Sequence, residues 1–348
     1  TANSAAKETR GKVCFKSRIS RKNISNTSFA VDFFKHLCKT QTNTNVLFSP
    51  WSISSVMATL YSGAKGHTAE QIAKVFHFHK PSPEIQSNIH SRFQALNQEI
   101  NKSTKNVLLS NVNQLYGDKS VSFQRVSDFS ESMKKYYKVE PQTVNFQETA
   151  DDARKEINEW VEQQTAGKFQ IFGQAFIKKL AFLTLSLTIF YSMQKEDTTE
   201  NTFQVEKVNH HVNFLENKLT YEAFSKWTSP KEMEEVEANV HLPKMQLNIH
   251  YELKPLLTNM GITDAFNAEM ADFTGVSAES NLGVSQIFHK CFVDINEEGT
   301  EAAASTAGSI DGRSDQGAIL FAADHPFLFF IRHNKTKNIL FWGKFCSP

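Results

Sequence analysis

The sequence has few cysteines, and no pair of them is close together. Cys14, Cys38, Cys291 and Cys346 are scattered over 348 residues, without a CxxC pair. Small secreted domains that depend on disulfides have many more cysteines at closer spacing. The sequence therefore predicts a fold that is stable without disulfides, as is usual in a reducing compartment.

The chain also lacks the short motifs of common enzymes, because GxSxG, HExxH, GxGxxG and the P-loop are all absent. The histidine pairs His77 with His79 and His210 with His211 have neither the i,i+4 spacing of a helical metal site nor a neighbouring cysteine. His289 lies in an apolar segment, where a single histidine is usually a buried hydrogen-bonding residue. We therefore expect no enzymatic activity, no metal and no cofactor.

A strong charge imbalance is absent as well. The formal net charge is +1, which favours neither nucleic acid nor a membrane as partner. The uncharged stretch Leu180–Met193 is too short to cross a bilayer as a helix. The basic N-terminal stretch has no apolar run of signal-peptide type. We expect a cytoplasmic protein, with export without a signal peptide as the alternative.

Apolar and aromatic residues are plentiful, with 40% hydrophobic residues and 29 Phe, which predicts an aromatic, tightly packed core. Residues 1–25 read as a basic, disordered tail, and 26–348 as one domain. Helical patterns dominate early and strand patterns late, which predicts an α+β fold with antiparallel sheets. Ser49-Pro50 marks a helix start. The run Leu180–Met193 fits either a buried strand or a short helix.

Two apolar runs close the sequence, HPFLFFIRH and NILFWGKF, joined by NKTKN. Neither run alternates between apolar and polar residues. The sequence therefore predicts a hairpin that is buried on both faces.

Before this hairpin lies 297–318, which is rich in Ala, Ser, Thr and Gly and has no Leu, Val or Phe. As a strand, its first part would place only small side chains on one face. Such a segment suits an exposed loop and equally suits insertion into a sheet without overpacking. A plain solvated linker is the alternative. The residues of that face are Thr300, Ala302, Ala304 and Thr306.

Arg313 stands between Gly312 and Ser314 in the same segment. A single arginine on an exposed, glycine-flanked loop is a good cleavage site for a trypsin-like protease, whose primary pocket is acidic. The sequence therefore predicts that Arg313 is presented to such a protease.

Several stretches resemble one family in order along the chain. They are NVLFSPWSISSVMATLYSGAKGHTAEQIAKVF, NQLYGDKS, ARKEINEWVEQQTAGK, EEGTEAAAST and FAADHPFLFFIRHNKTKNILFWGKFCSP. The chain is identified by them as a serpin that resembles the ovalbumin-type, leaderless clade. The resemblance implies helices packed on a large central mixed sheet with smaller sheets.

The resemblance also implies a mechanism, suicide inhibition of a trypsin-like serine protease by a monomer through a covalent acyl complex. The scissile bond lies fourteen positions after the hinge glycine Gly299, which gives Arg313–Ser314. The shutter residues, which let the central sheet open, correspond to Ser49, Ser52 and His289. The hinge comprises Glu297, Glu298, Gly299, Thr300, Glu301, Ala302, Ala303, Ala304, Ser305 and Thr306.

The chain departs from the family pattern between 167 and 219, which is divergent and shortened. Leu187 falls where the family has a shutter asparagine, and parts of sheets B and C have no counterpart. Without those strands we expect the C-terminal hairpin to be partly uncovered. The alternative function is therefore a non-inhibitory or inactive truncated serpin that acts as a substrate or a binding protein.

Overall fold

A computed structural model describes most of the chain after the N-terminal tail. The described residues are 25–78, 83–100, 107–120, 127–165, 167, 169, 180, 182–193, 209–233, 238–277, 282–296 and 319–348. Residues 1–24 and the whole of 297–318 lie outside them.

The helices are concentrated in the first half of the chain, and the strands dominate the end. The helices are α1 (25–38), α2 (Pro50–Gly63), α3 (Gly66–Val75), α4 (Pro83–Ile100), α5 (Ser127–Ser132), α6 (Ala150–Gln164), α7 (Asn209–Lys218), α8 (Tyr221–Trp227) and α9 (Leu253–Asn259). A π-helical turn, Met133–Tyr137, follows α5, and a 3-10 turn, Asp264–Phe266, follows α9. Among the described helices none is long and apolar enough to cross a membrane.

The strands form three sheets among the described residues. They are β1 (Val46–Phe48), β2 (Val107–Asp118), β3 (Gln142–Val144), β4 (Phe182–Met193), β5 (Ala238–His241), β6 (Met245–Glu252), β7 (Gln286–Asn296), β8 (Ile319–Ala322), β9 (Phe327–His333) and β10 (Asn338–Phe345). The sheet orders are β3-β2-β4-β7-β6, β1-β10-β9 and β5-β8. A large mixed sheet with smaller sheets is thus confirmed.

The central sheet contains a long parallel pair at its middle. Strands β4 and β7 run parallel over eleven residue pairs, from Leu183 opposite Gln286 to Met193 opposite Asn296. On the outer sides of this pair, β2 and β6 run antiparallel to their neighbours. We call the β4–β7 contact the seam.

Strand β4 resolves the ambiguous apolar run as a strand that is buried on both faces. One face packs in a hydrophobic cluster with Ile157 and Val161 of α6, and the other faces α2. The side chains that face α2 are small and carry hydroxyl groups, whereas those that face α6 are aliphatic. Apolar and hydroxyl residues therefore alternate along β4, although all of them are buried. The buried residues are Leu183, Leu185, Leu187 and Ile189 on the α6 face, and Thr184, Ser186 and Thr188 on the α2 face.

Helix α2 is the central helix of the core, and almost all of its residues are buried. Ser49 caps its N-terminus by accepting a hydrogen bond from the Ser52 backbone N–H at 3.1 Å, and Pro50 begins the first turn. The predicted helix start is therefore confirmed. Because Ser49 and Pro50 lie next to each other in sequence, they determine the residue at which the first turn of α2 begins.

The C-terminal hairpin forms as predicted from β9 and β10, which pair antiparallel. Every residue of β10 is buried, but β9 is only half-buried. The prediction of burial on both faces is thus right for β10 and wrong for β9. Strand β10 lies between β1 and β9, whereas no strand pairs with the outer side of β9 among the described residues.

Candidate functional site at the seam

The N-terminus of α2 reaches the seam through a histidine of β7. The backbone N–H of Ser49 donates to Nε2 of His289 at 3.0 Å. His289 is fully buried in β7, directly opposite Ser186 of β4. The first turn of α2 is thus hydrogen-bonded to β7, one of the two strands of the seam.

A chain of hydrogen bonds continues across the seam to β2. Because Nε2 accepts from Ser49, the ring proton lies on Nδ1, which is shared between Oγ of Ser186 at 3.0 Å and its carbonyl oxygen at 3.1 Å. Ser186 Oγ lies 2.7 Å from Ser52 Oγ, which donates to Oδ1 of Asn111 at 2.8 Å. Asn113 Oδ1 also accepts from Ser52 Oγ at 3.3 Å. Three strands and one helix therefore meet in a single buried polar network.

His289 is neutral in the folded protein. Burial lowers its pKa to about 3, against the ordinary histidine value near 6.5. The thiol of Cys291, 2.9 Å from Nε2, is also neutral because burial raises its pKa. A Ser–His contact can mark a nucleophile and its base. Here both residues are fully buried, so no substrate reaches them and the network is structural.

The neutral state of His289 makes stability depend on pH. The unfolded chain takes up the proton near pH 6.5 and the folded chain only near pH 3, so stability is present above pH 6.5 and falls as pH falls. His90, whose pKa is lowered by burial to about 4, acts in the same direction. We expect these two histidines together to lower the free energy of unfolding by on the order of 2–3 kcal/mol per pH unit between about pH 6 and 5.

His289→Gln should reduce this contribution to the slope by about half, leaving the share of His90. Urea unfolding at a series of pH values measures it. His250→Gln, at an exposed position of β6, is the matched control and should leave the parent slope intact. An unchanged slope in His289→Gln would contradict the assignment.

Comparison with known proteins assigns the family. The family model described as "Serpin (serine protease inhibitor)" matches residues 24–210 and 202–348, which together span nearly the whole chain. The chain belongs to the serpin family. The two matched segments overlap at 202–210, within the region that the sequence marks as shortened.

Named relatives agree with this assignment. "Serpin B10" of Bos taurus is 37% identical, over 92% of this chain and 98% of the relative. "Plasminogen activator inhibitor 2" of Homo sapiens is 36% identical, over 93% and 99%. The first alignment spans 389 positions, more than the 348 residues of this serpin, so the relative has positions without a counterpart here.

Solved structures agree on the fold. Uncleaved ovalbumin superposes with a TM-score of 0.83 at 27% identity, covering 94% of this chain and 100% of that chain. A tumour suppressing serpin superposes with a TM-score of 0.79 at 28% identity, covering 94% and 99%. The serpin fold and the ovalbumin-type resemblance are both confirmed.

The three predicted shutter residues Ser49, Ser52 and His289 meet in one network. The residue that completes this serpin's network from β4 is Ser186, whereas Leu187 points to the α6 side. Leu187, the position that the sequence comparison aligned with the family's shutter asparagine, does not contribute to the network.

The other predicted residues, the Arg313–Ser314 bond and the hinge 297–306, lie outside the described residues. Sequence reasoning also missed Asn111 and Asn113, although their i,i+2 spacing in a strand indicates a shared polar face. Among the described residues, no group of three or more His, Cys, Asp and Glu side chains is placed to hold a metal ion.

Removal of the Ser186 hydroxyl should weaken the seam without leaving a buried group unpaired. In Ser186→Ala, His289 Nδ1 keeps the carbonyl oxygen of residue 186, and Ser52 keeps Asn111. We expect a loss of about 1–2 kcal/mol in the free energy of unfolding, measured by urea denaturation. Thr184→Val is the matched control. The Thr184 hydroxyl is buried on the same strand face and has no hydrogen-bond partner in the part of the chain that the structure describes, so its removal should not destabilise the protein. Equal losses in the two variants would refute the role of Ser186.

Proposed function

We propose that this serpin inhibits a trypsin-like serine protease as a suicide substrate, with Arg313–Ser314 as the scissile bond and 297–306 as the hinge. The observation that carries the proposal is the seam. It is a parallel pair between strands that are not neighbours in sequence, and the segment 297–318 follows β7 directly.

The direction of the strands favours insertion of that segment. A chain that leaves β7 at Asn296 and folds back runs antiparallel to β7, and therefore also antiparallel to β4. Insertion would replace one parallel contact by two antiparallel contacts, which pair slightly better per residue. A segment of small side chains fits such a slot because it adds backbone hydrogen bonds without overpacking the layers beneath.

The lengths also agree. The seam has eleven residue pairs, and eleven residues run from Thr300 to Ile310. A strand of that length is about 36 Å long, enough to carry the chain across the sheet. With about one additional hydrogen bond per inserted residue, worth about 1 kcal/mol each, insertion would stabilise the protein by on the order of 10 kcal/mol. That free energy is available only after cleavage frees the loop from its far end.

The chemistry belongs to the protease. Its catalytic serine attacks the carbonyl carbon of Arg313, the bond to Ser314 breaks, and the amine of Ser314 leaves with a proton. The product is an ester between the protease and Arg313. Insertion of the loop then carries the attached protease away before water hydrolyses this ester. The serpin itself supplies no catalytic residue, so it acts as an inhibitor and not as an enzyme.

The class of target follows from Arg313, because an acidic primary pocket selects a basic side chain. The human relative's name, "Plasminogen activator inhibitor 2", supports a protease-directed function for this chain as well. We infer that trypsin is a suitable test enzyme for the class.

The decisive experiment mixes the purified chain with trypsin and analyses the products on a denaturing gel. We expect a covalent band at the summed mass of the serpin and the protease. Catalytically inactive trypsin is the control and should give no such band. Cleavage after Arg313 without a covalent complex would overturn the inhibitory function.

A second candidate function is favoured by the shortened region. Relatives have positions that this chain lacks, the family match is divided into two segments that meet at 202–210, and β9 is only half-buried. A scaffold weakened in this way would make the chain a protease substrate or a binding protein without inhibitory activity. The same gel distinguishes the two functions, because a substrate is cleaved to completion and leaves trypsin active.

A further inference from the structure

Strand β9 presents a long apolar edge. In the sheet β1-β10-β9 it pairs with β10 on one side, and no pairing on its other side occurs among the described residues. Five of its seven residues, FLFFI, are apolar, and Phe330 at its centre is 38% exposed. An exposed, regular, hydrophobic edge strand is a template for pairing with another strand.

Most of the usual protections of an edge strand are missing from Phe327–Ile331, which contains neither proline nor lysine. The one inward-directed charge of β9, Arg332, lies beyond this stretch, where its Nη1 donates to the carbonyl oxygen of Thr228 at 3.3 Å. The irregularity in the β9–β10 pairing lies between Ile339 and Phe341, near one end. The remaining length, from Phe327 to Ile331, is therefore a regular edge.

The face of β9 that carries Phe330 is an aromatic surface next to α8. Phe330 packs edge-to-face on Phe224 at 4.9 Å between ring centroids, and its exposed part continues this surface outward. A second aromatic ring placed beside Phe330 would extend a contact that already exists. Edge pairing would thus bury apolar area in addition to forming backbone hydrogen bonds.

We propose that two copies of this chain associate through β9, antiparallel about a two-fold axis at Phe330, to form a continuous six-stranded sheet. In this register Leu328 lies opposite Arg332 and Phe329 opposite Ile331 of the second copy. Phe330 meets its own counterpart. No like charges face each other, so the edge is complementary to itself, as an isologous dimer requires. Six strands is an ordinary sheet size.

This dimer replaces the monomer that the family resemblance implies, and it does not depend on the proposed inhibition. The β9 sheet is separate from the central sheet that contains the seam. Protease inhibition and dimerisation therefore respond to different substitutions.

The test measures the solution mass of the full chain by light scattering on a size-exclusion column and by sedimentation over a range of concentrations. The monomer mass is 39.5 kDa, and we expect twice that mass at micromolar concentration. Phe330→Glu and Phe330→Lys each place like charges at the two-fold axis and should weaken dimerisation at least ~10-fold. An equimolar mixture of these two variants should restore the dimer, because Glu then faces Lys.

The mixture keeps the test decisive if a variant is less stable, since misfolded chains would not regain a defined dimer on mixing. Met270→Glu, which adds the same charge at another exposed apolar residue, is the matched control and should remain dimeric. A chain that is monomeric at all concentrations overturns the proposal. A dimer that persists in Phe330→Glu, or a failure of the mixture to restore it, does the same.

Discussion

Arg313→Ala should abolish inhibition of trypsin. The side chain of residue 313 is the group that the acidic primary pocket would bind, so its loss should slow acylation at least ~100-fold. Folding should be unchanged, because 297–318 has no large apolar residue other than Ile310 to contribute to a core. Residual trypsin activity, measured after incubation with increasing amounts of the variant, tests the prediction.

Two matched variants separate the role of Arg313 from a general effect on the loop. Arg313→Lys keeps a positive charge that trypsin accepts and should keep inhibition. Asp315→Ala changes a charge two residues away and should also keep it. Full trypsin inhibition by Arg313→Ala would show that the scissile bond lies elsewhere.

The second large effect is an increase in thermal stability on cleavage. If the cleaved segment inserts at the seam, the added stability of on the order of 10 kcal/mol should raise the unfolding midpoint by roughly 10–15 °C. Limited cleavage after Arg313, followed by calorimetry on the intact and cleaved protein, measures this shift. An ordinary protein is destabilised or unaffected by a cut in a loop, so the sign of the shift alone is informative.

Thr300→Arg is the variant that tests where the insertion begins. It would bury a charge in the central sheet, which is strongly unfavourable. We expect normal cleavage after Arg313, no increase in the midpoint and no covalent complex with trypsin. Thr300→Val, of similar size and uncharged, is the control and should behave like the parent. An increase in midpoint for the Arg variant would mean that residue 300 stays outside the sheet.

Features with a local cause could be predicted from the sequence. The start of α2 depends on Ser49 and Pro50, which act within one turn, and the C-terminal hairpin depends on two apolar runs with a short polar connection. His289 was correctly interpreted as a buried hydrogen-bonding residue because an isolated polar side chain in an apolar strand needs a partner.

Features with a distant cause could not be predicted. The residue opposite His289 depends on the register between two strands, since Ser186 and His289 are 103 positions apart. The ambiguity of β4 has the same origin, because burial by α2 on one face and α6 on the other removes the alternation that identifies a strand. The exposed edge of β9 depends on what lies beside it, where no strand pairs among the described residues, and no residue of β9 itself signals this.

The seam has a consequence for the order of folding. Pairing β4 with β7 closes a loop of about a hundred residues, whereas folding 297–318 back onto β7 would need only a tight turn. Local contacts form faster than distant ones. In the described arrangement β4 lies directly against β7, so the distant pair is the one that forms. Because β8 follows 297–318 and pairs with β5, we expect the β5–β8 pairing to form early and to limit how far this segment can fold back onto β7.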